Sequence, residues 1–168
     1  DEFALVNEGN LVALFCISLC LTVYAAGGYL NLENPRLSWI WAFDALMALY
    51  SLDGVIFTLV VYSNFGARYS KPTMFLHNTP TLHSLQRDSS APSSVRLRGL
   101  VLWHGEWVAR TSLASAYPPL LGIESGSCIS DALTLRLRAW EGDVELPMAD
   151  SANDWGHPLP TSDDNWLN

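Results

Sequence analysis

The sequence predicts a mostly α-helical chain with one N-terminal transmembrane helix, an α/β remnant in the middle and an extended acidic C-terminal tail. Three observations carry that expectation. Residues 11–30 contain no charged side chain and no polar face. Residues 124–168 carry nine acidic groups against Arg136 and Arg138, which accounts for most of the formal charge of -8. Between these two regions, β-branched and aromatic runs are punctuated by Gly and Pro, the pattern of short strands and turns. The chain then divides into a polar N-terminal segment over 1–10, a transmembrane helix over 11–30, a middle segment over 31–122 and an acidic tail over 123–168.

Twenty helical residues rise about 30 Å, the thickness of a bilayer's hydrocarbon core. Ser18 and Thr22 are no obstacle, since each hydroxyl can return to a carbonyl one turn back. Asp1, Glu2 and Glu8 precede the run and Arg36 is the first basic residue after it, so the positive-inside tendency puts the C-terminal side in the cytoplasm or its organellar equivalent. Arg36, Trp39 and Trp41 form the candidate membrane-interface set, because an indole ring with one apolar and one wet side suits the headgroup level. The competing readings are a helix buried in a large soluble assembly, or one that ends at Gly27-Gly28 and passes into a strand over 29–32.

Further along, 38–52 reads as a helix, Asp53-Gly54 as a turn and 55–62 as a buried strand. Asp44 and Asp53 make a second membrane span costly. Residues 63–80 are turn-rich, 82–87 read as a short helix and 89–94, with Pro92, as a loop. Residues 95–103 alternate weakly and 106–111 can pair with them. An amphipathic strand or helix is expected over 132–140. Residues 143–168, with three prolines and many Asp, Ser and Asn, have the composition of a tail that orders against a partner. There is no internal repeat.

Between Arg36 and Arg110, seven basic residues face four acidic ones. That excess is thin for a phosphate-neutralising surface, and its candidate nucleic-acid-binding residues are Arg68, Lys71, Arg96 and Arg98. Cys16, Cys20 and Cys128 match neither a zinc spacing nor a disulfide framework. His77 and His83 are six apart with no carboxylate at metal-ligand spacing, so no metal is expected.

Residues 29–41 read Tyr-Leu-Asn-Leu-Glu-Asn-Pro-Arg-Leu-Ser-Trp-Ile-Trp, followed by Gly54-Val55 and then by Phe65-Gly66-Ala67-Arg68-Tyr69-Ser70-Lys71-Pro72-Thr73-Met74-Phe75-Leu76-His77-Asn78. Later come Gly105-Glu106-Trp107 with Arg110-Thr111, and Ala114-Ser115-Ala116-Tyr117-Pro118. In this order the motifs resemble the C-terminal part of DNA cytosine methyltransferase-like proteins encoded by algal mobile elements, over about residues 10–122. The resemblance implies methyl transfer from S-adenosylmethionine to carbon 5 of cytosine, in a doubly wound sheet. A cysteine thiolate there attacks carbon 6, and a Glu in the position of Glu33 engages the ring nitrogen. Glu33 is accordingly the one candidate catalytic residue. The family's glycine-rich cofactor turn and its Pro-Cys nucleophile segment lie upstream of the matching region. No such turn precedes Glu33, and neither Cys16 nor Cys20 has a neighbouring proline. Ser63-Asn64 stands where relatives often carry a cysteine, and 89–94 where they often carry histidines.

The expected function is a noncatalytic, membrane-anchored accessory subunit of a larger multi-protein assembly. The algal resemblance implies an organellar membrane, with a photosynthetic (thylakoid) one as the extension of that idea. No cofactor is identifiable from the residues, although pigments or lipids would suit such a setting. The alternatives are a fragment of an S-adenosylmethionine-dependent DNA methyltransferase and a soluble nucleic-acid-binding remnant. In each case a half-sheet with an open apolar edge needs another surface to cover it.

Overall fold

The N-terminal helix, α1 (Glu2–Ala25), is about 36 Å long at 1.5 Å per residue; it takes in the segment over 1–10 expected to be separate and stops five residues before the uncharged run over 11–30 ends. The structure, a computed structural model, describes residues 2–87, 95 and 97–142. α1 stops at a glycine: Gly27 has φ +71, Gly28 N–H donates to the Val23 carbonyl and Gly27 N–H to that of Tyr24, both at 2.7 Å. This is a Schellman ending, and the left-handed backbone it needs is why a glycine sits there. Strand β1 (Asn31–Pro35) follows. A 3-10 turn over Trp39–Ala42 and a short helix, α2 (Asp44–Tyr50), lead to β2 (Ile56–Val61). After a second 3-10 turn comes β3 (Pro72–His77). A hairpin of β4 (Leu100–Trp103) and β5 (Glu106–Ala109) then precedes helix α3 (Pro119–Trp140).

The main sheet has the order β1-β3-β2, with β3 antiparallel to both neighbours. β1 and β2 therefore run parallel to each other, joined by a crossover that contains α2. Opposed residues share a face. Glu33, Phe75 and Thr58 point one way, as do Thr73 with Val60 and His77 with Ile56; Leu32, Leu76 and Phe57 point the other way. The first face is covered by α3 and the 3-10 turn over Leu82–Leu85, in a core of Val60, Tyr62, Phe65, Phe75, Leu85 and Leu121. The second face meets α1 and α2, in a core of Ile17, Leu30, Trp41, Leu46, Leu49 and Leu76. The result is a three-layer α/β/α arrangement around three strands.

The architecture is mixed α/β, not mostly α, because two antiparallel sheets occupy the middle of the chain. Three further expectations are corrected. The helix over 38–52 is divided: Phe43 adopts an extended conformation, φ -73 and ψ 126, separating the 3-10 turn from α2. The turn-rich region 63–80 contains β3, the central strand, because a partner on each edge holds Pro72–His77 extended despite the Lys-Pro start. The tail does not begin at 123. Residues up to Trp140 continue α3, since Leu121, Cys128 and Ala132 bury one side of it. Residues 143–168 lie outside the described residues, as does the loop over 89–94. The 55–62 strand and the pairing of 95–103 with 106–111 appear with shifted ends, and the short helix expected over 82–87 is a single 3-10 turn over Leu82–Leu85.

Trp41 is also a correction. It is 4% exposed, its indole N–H donates to the Pro35 carbonyl at 2.8 Å, and its ring meets Phe57 edge-on at 5.4 Å. That ring is core and cannot lie at a headgroup surface. Trp39, two residues earlier, is 80% exposed, and Arg36 is exposed as well.

α1 is long and apolar enough over Phe3–Ala25 to cross a membrane. Among its described residues only Ile17 is buried, with Cys20, Leu21, Val23 and Tyr24 packed partly against the second core. The Tyr24 hydroxyl ties this end down by donating to the Asp53 carbonyl at 2.9 Å. The opposite side, with Leu11, Phe15 and Leu19, is open, and so is the whole circumference from Phe3 to Val12.

Leu76 is fully buried in the middle of β3. Leu76→Ala is expected to cost about 2–5 kcal/mol in chemical denaturation, whereas Leu37→Ala, at a site 62% exposed, should stay within about 0.5 kcal/mol of the parent.

Candidate functional site

The alternation of β1 sets Glu33 opposite Phe75 on the α3 side of the sheet. There it meets side chains from three distant parts of the chain. Tyr62 opens the 3-10 turn that leaves β2. Tyr117 stands two residues before α3, where the extended Pro118 (φ -56, ψ 135) and Pro119 start the helix abruptly. The Tyr62 and Tyr117 rings lie 6.0 Å apart, and Tyr69 stands 6.3 Å from Tyr62 on another side. Lys71, just before β3, holds its ammonium 4.8 Å over the Tyr62 ring and donates to the Ala114 carbonyl at 3.2 Å. One cation thereby joins the β2–β3 connection to the approach to α3.

The Tyr117 hydroxyl lies close enough to the Glu33 carboxylate to feel its charge. Atom Oε1 of the same carboxylate is buried and has no hydrogen-bond partner, a costly state that a donor from a bound group would relieve. Burial first, and then the nearby Glu33 charge, push the Tyr62 hydroxyl up to about 12, with the Thr73 side chain pulling the other way. Burial and then the Glu33 charge raise the Tyr117 hydroxyl as well. Both phenols are therefore neutral at physiological pH. The arrangement is an acceptor carboxylate near two buried phenol rings, with the Lys71 ammonium over one of them.

β1 also has a free edge. Arg36 N–H bonds the Pro72 carbonyl and Leu30 N–H bonds the Asn78 side chain, so the even-numbered residues face β3. By antiparallel alternation, the backbone groups of Asn31 and Glu33 point away from the sheet. The Pro35 carbonyl, which points the same way, is taken by Trp41.

The sequence singled out Glu33, and the structure brings it together with Lys71 through Tyr62. Lys71 does not join Arg68 and Arg98 in a basic face, because its ammonium is turned inward. The Arg68 carbonyl accepts from Val95 N–H at 3.0 Å, Arg98 is exposed just before β4, and Arg96 lies outside the described residues. Sequence reading missed Tyr62 and Tyr117 as members of the site. The signal for Tyr117 was its place in the Ala114–Pro118 motif; for Tyr62 there was none beyond its position at a strand end.

S-adenosylmethionine does not fit the residues present. β1 runs into Pro35-Arg36-Leu37 and β3 into Asn78-Thr79-Pro80, with no glycine in either turn. After β2, Gly66 caps a 3-10 turn with open space around it. Cys16 and Cys20 are on α1, across the sheet from Glu33, and the Cys128 sulfur contacts Ser84 at 3.6 Å in the core. Among the described residues, no group of three His, Cys, Asp or Glu side chains is arranged to hold a metal ion. No family model, curated protein or solved structure matches the chain.

His77 lies on the same face as Glu33, at the far end of β3, and is fully buried. Its Nε2 shares a 2.8 Å hydrogen bond with the Thr58 hydroxyl, and its Nδ1 has no partner. Burial lowers its pKa from 6.5 to about 4, opposed by the Thr79 backbone and reinforced by His83. A depressed histidine stays neutral in the fold while the unfolded chain takes up a proton. Its contribution to stability is therefore complete above pH 6.5 and is lost as pH falls towards about 4. Denaturation midpoints measured across that window should fall more steeply for the parent than for His77→Gln.

Proposed function

We propose that this chain is a noncatalytic accessory module of a larger assembly, in which the Glu33 cluster engages a nucleobase of the cytosine type. One observation carries the reading. Segments more than eighty residues apart meet around Glu33. Tyr62, which belongs to no motif of the resemblance, feels the Glu33 charge and lies under Lys71 of one motif. Lys71 in turn bonds the Ala114 carbonyl of another motif, which also supplies Tyr117. A carboxylate with a spare buried oxygen pairs well with the exocyclic amino group of cytosine, whereas thymine presents a carbonyl at that position. The free edge of β1 is the natural place for the rest of the assembly to attach, since unpaired strand groups are satisfied best by another strand.

Fluorescence anisotropy with single-stranded oligonucleotides tests this. Binding of a cytosine-containing strand should exceed that of an all-thymine strand, and Glu33→Gln should weaken the former by about tenfold, the scale of one charge-assisted hydrogen bond. Equal affinity for both strands, unchanged in the variant, would sink the reading. Calorimetric titration with S-adenosylmethionine should give no binding heat; measurable binding would instead favour an enzyme fragment.

Membrane anchoring is a second reading, favoured by the exposed, uncharged stretch of α1 between Glu8 and its end at Ala25. An organellar membrane, thylakoid or other, follows only from the resemblance to algal sequences. Carbonate washing decides: a spanning chain stays with the membrane until detergent is added, and a peripheral one is released.

A further inference from the structure

The exposed side of α1 has an internal order that its apolar character alone does not require. Glu8, Leu11, Phe15, Ser18, Thr22 and Ala25 recur at spacings of three and four, so they form one seam along the helix. All six are exposed. The seam also changes character along its length, with bulky residues in its first half (Leu11 and Phe15) and small ones in its second (Ser18, Thr22 and Ala25). The Thr22 hydroxyl is turned back onto the Ser18 carbonyl at 2.9 Å, which leaves its methyl outward and its polar atom satisfied within the helix.

We infer that this seam is the contact between two copies of the chain, with the two α1 helices packed antiparallel. A two-fold axis between residues 16 and 17 sets Phe15 of each copy against Ser18 of the other, Leu11 against Thr22 and Glu8 against Ala25. Every layer then pairs a large side chain with a small one, the condition for close helix packing. A parallel pairing does the opposite, stacking Phe15 on Phe15 and Glu8 on Glu8. Charge agrees with the antiparallel choice. Glu8 comes to lie beside the second copy's Ala25 and the Gly27 turn, against which the Arg136 guanidinium is held, 5.3 Å from the Tyr29 ring centre and close to Gly27.

A bilayer is the poorer occupant. The last third of α1 is fastened to the second core through Ile17, Cys20, Leu21 and Tyr24, which leaves about 20 Å of free helix, short of the roughly 30 Å needed to cross. Glu2 and Glu8 lie on that free part. Leu14 and Leu19, 42% and 52% exposed on the seam's flanks, widen the apolar face that a second copy would cover.

Sedimentation equilibrium of the full chain without detergent should show a dimer. Phe15→Ser and Ser18→Phe, introduced singly, should each raise its dissociation constant at least about tenfold, and the double exchange should restore it to within about threefold, because each contact again pairs one phenylalanine with one serine. Both positions are exposed, so each variant should keep the parent's circular dichroism spectrum, and any fall in its thermal midpoint should vanish on dilution to where the parent is also monomeric. A monomeric parent chain, a dimer indifferent to the single changes, or failure of the double exchange to rescue would each overturn the proposal. So would a chain that stays with phosphatidylcholine vesicles on flotation, which would give the seam to lipid.

Discussion

β3 is the constraint on which the remainder of this fold depends. It is hydrogen-bonded along both edges and buried on both faces, so Pro72–His77 must satisfy two neighbours and two cores at once. Phe75 fills the core beneath α3 while Leu76, one residue later, fills the core beneath α1 and α2. A strand in that position cannot shift by one residue without exchanging the two cores, which is how six residues fix the register of β1 and β2. The parallel relation of β1 and β2 follows, and with it the crossover through α2 and the assignment of α1 and α3 to opposite layers.

The same constraint places chemistry. Glu33 is opposite Phe75 in the register, so it points into the layer that holds α3 and not towards solvent on the α1 side. The start of α3 brings Tyr117 to it, and Lys71 ties the Ala114 carbonyl into the same corner. Burial first and then the Glu33 charge raise the proton affinity of both phenols near it, while the Lys71 ammonium sits over the Tyr62 ring. The Glu33 Oε1 is one of three buried side-chain polar atoms without a hydrogen-bond partner among the described residues, with the Ser63 hydroxyl and His77 Nδ1.

The surfaces left bare are as informative as the core. β1 offers unpaired backbone groups, α1 an apolar seam, and the β4–β5 hairpin a face of Leu100, Leu102 and Trp107, all more than half exposed. A two-stranded hairpin with that face is marginal by itself in water. α3 adds an outer stripe of Ile129, Leu133, Leu137 and Trp140 beside its buried one.

Much of this was legible in local sequence. A run without charge or polar face, closed by Gly27-Gly28, specifies a helix and its end, because apolar continuity and a left-handed cap are both encoded within a few residues. The strand β2 and the His104-Gly105 turn, with φ values of 50 and 87, are of the same kind. The resemblance pointed to Glu33 before any geometry was known. What local pattern could not decide was everything that depends on a distant partner. β3 looks like a turn-rich segment until β1 and β2 flank it, and 38–52 looks like one helix until burial of Trp41 breaks it at Phe43. α3 contains Gly122, Gly126 and three serines between them and Asp131, a composition poor in helix propensity, and it is held by the burial of Leu121, Cys128 and Ala132. Dihedral preference and hydrophobic period are short-range quantities; which strand lies in the middle, which face of α1 is covered and which tyrosines meet a carboxylate are set by contacts across tens of residues, and only the folded chain contains them.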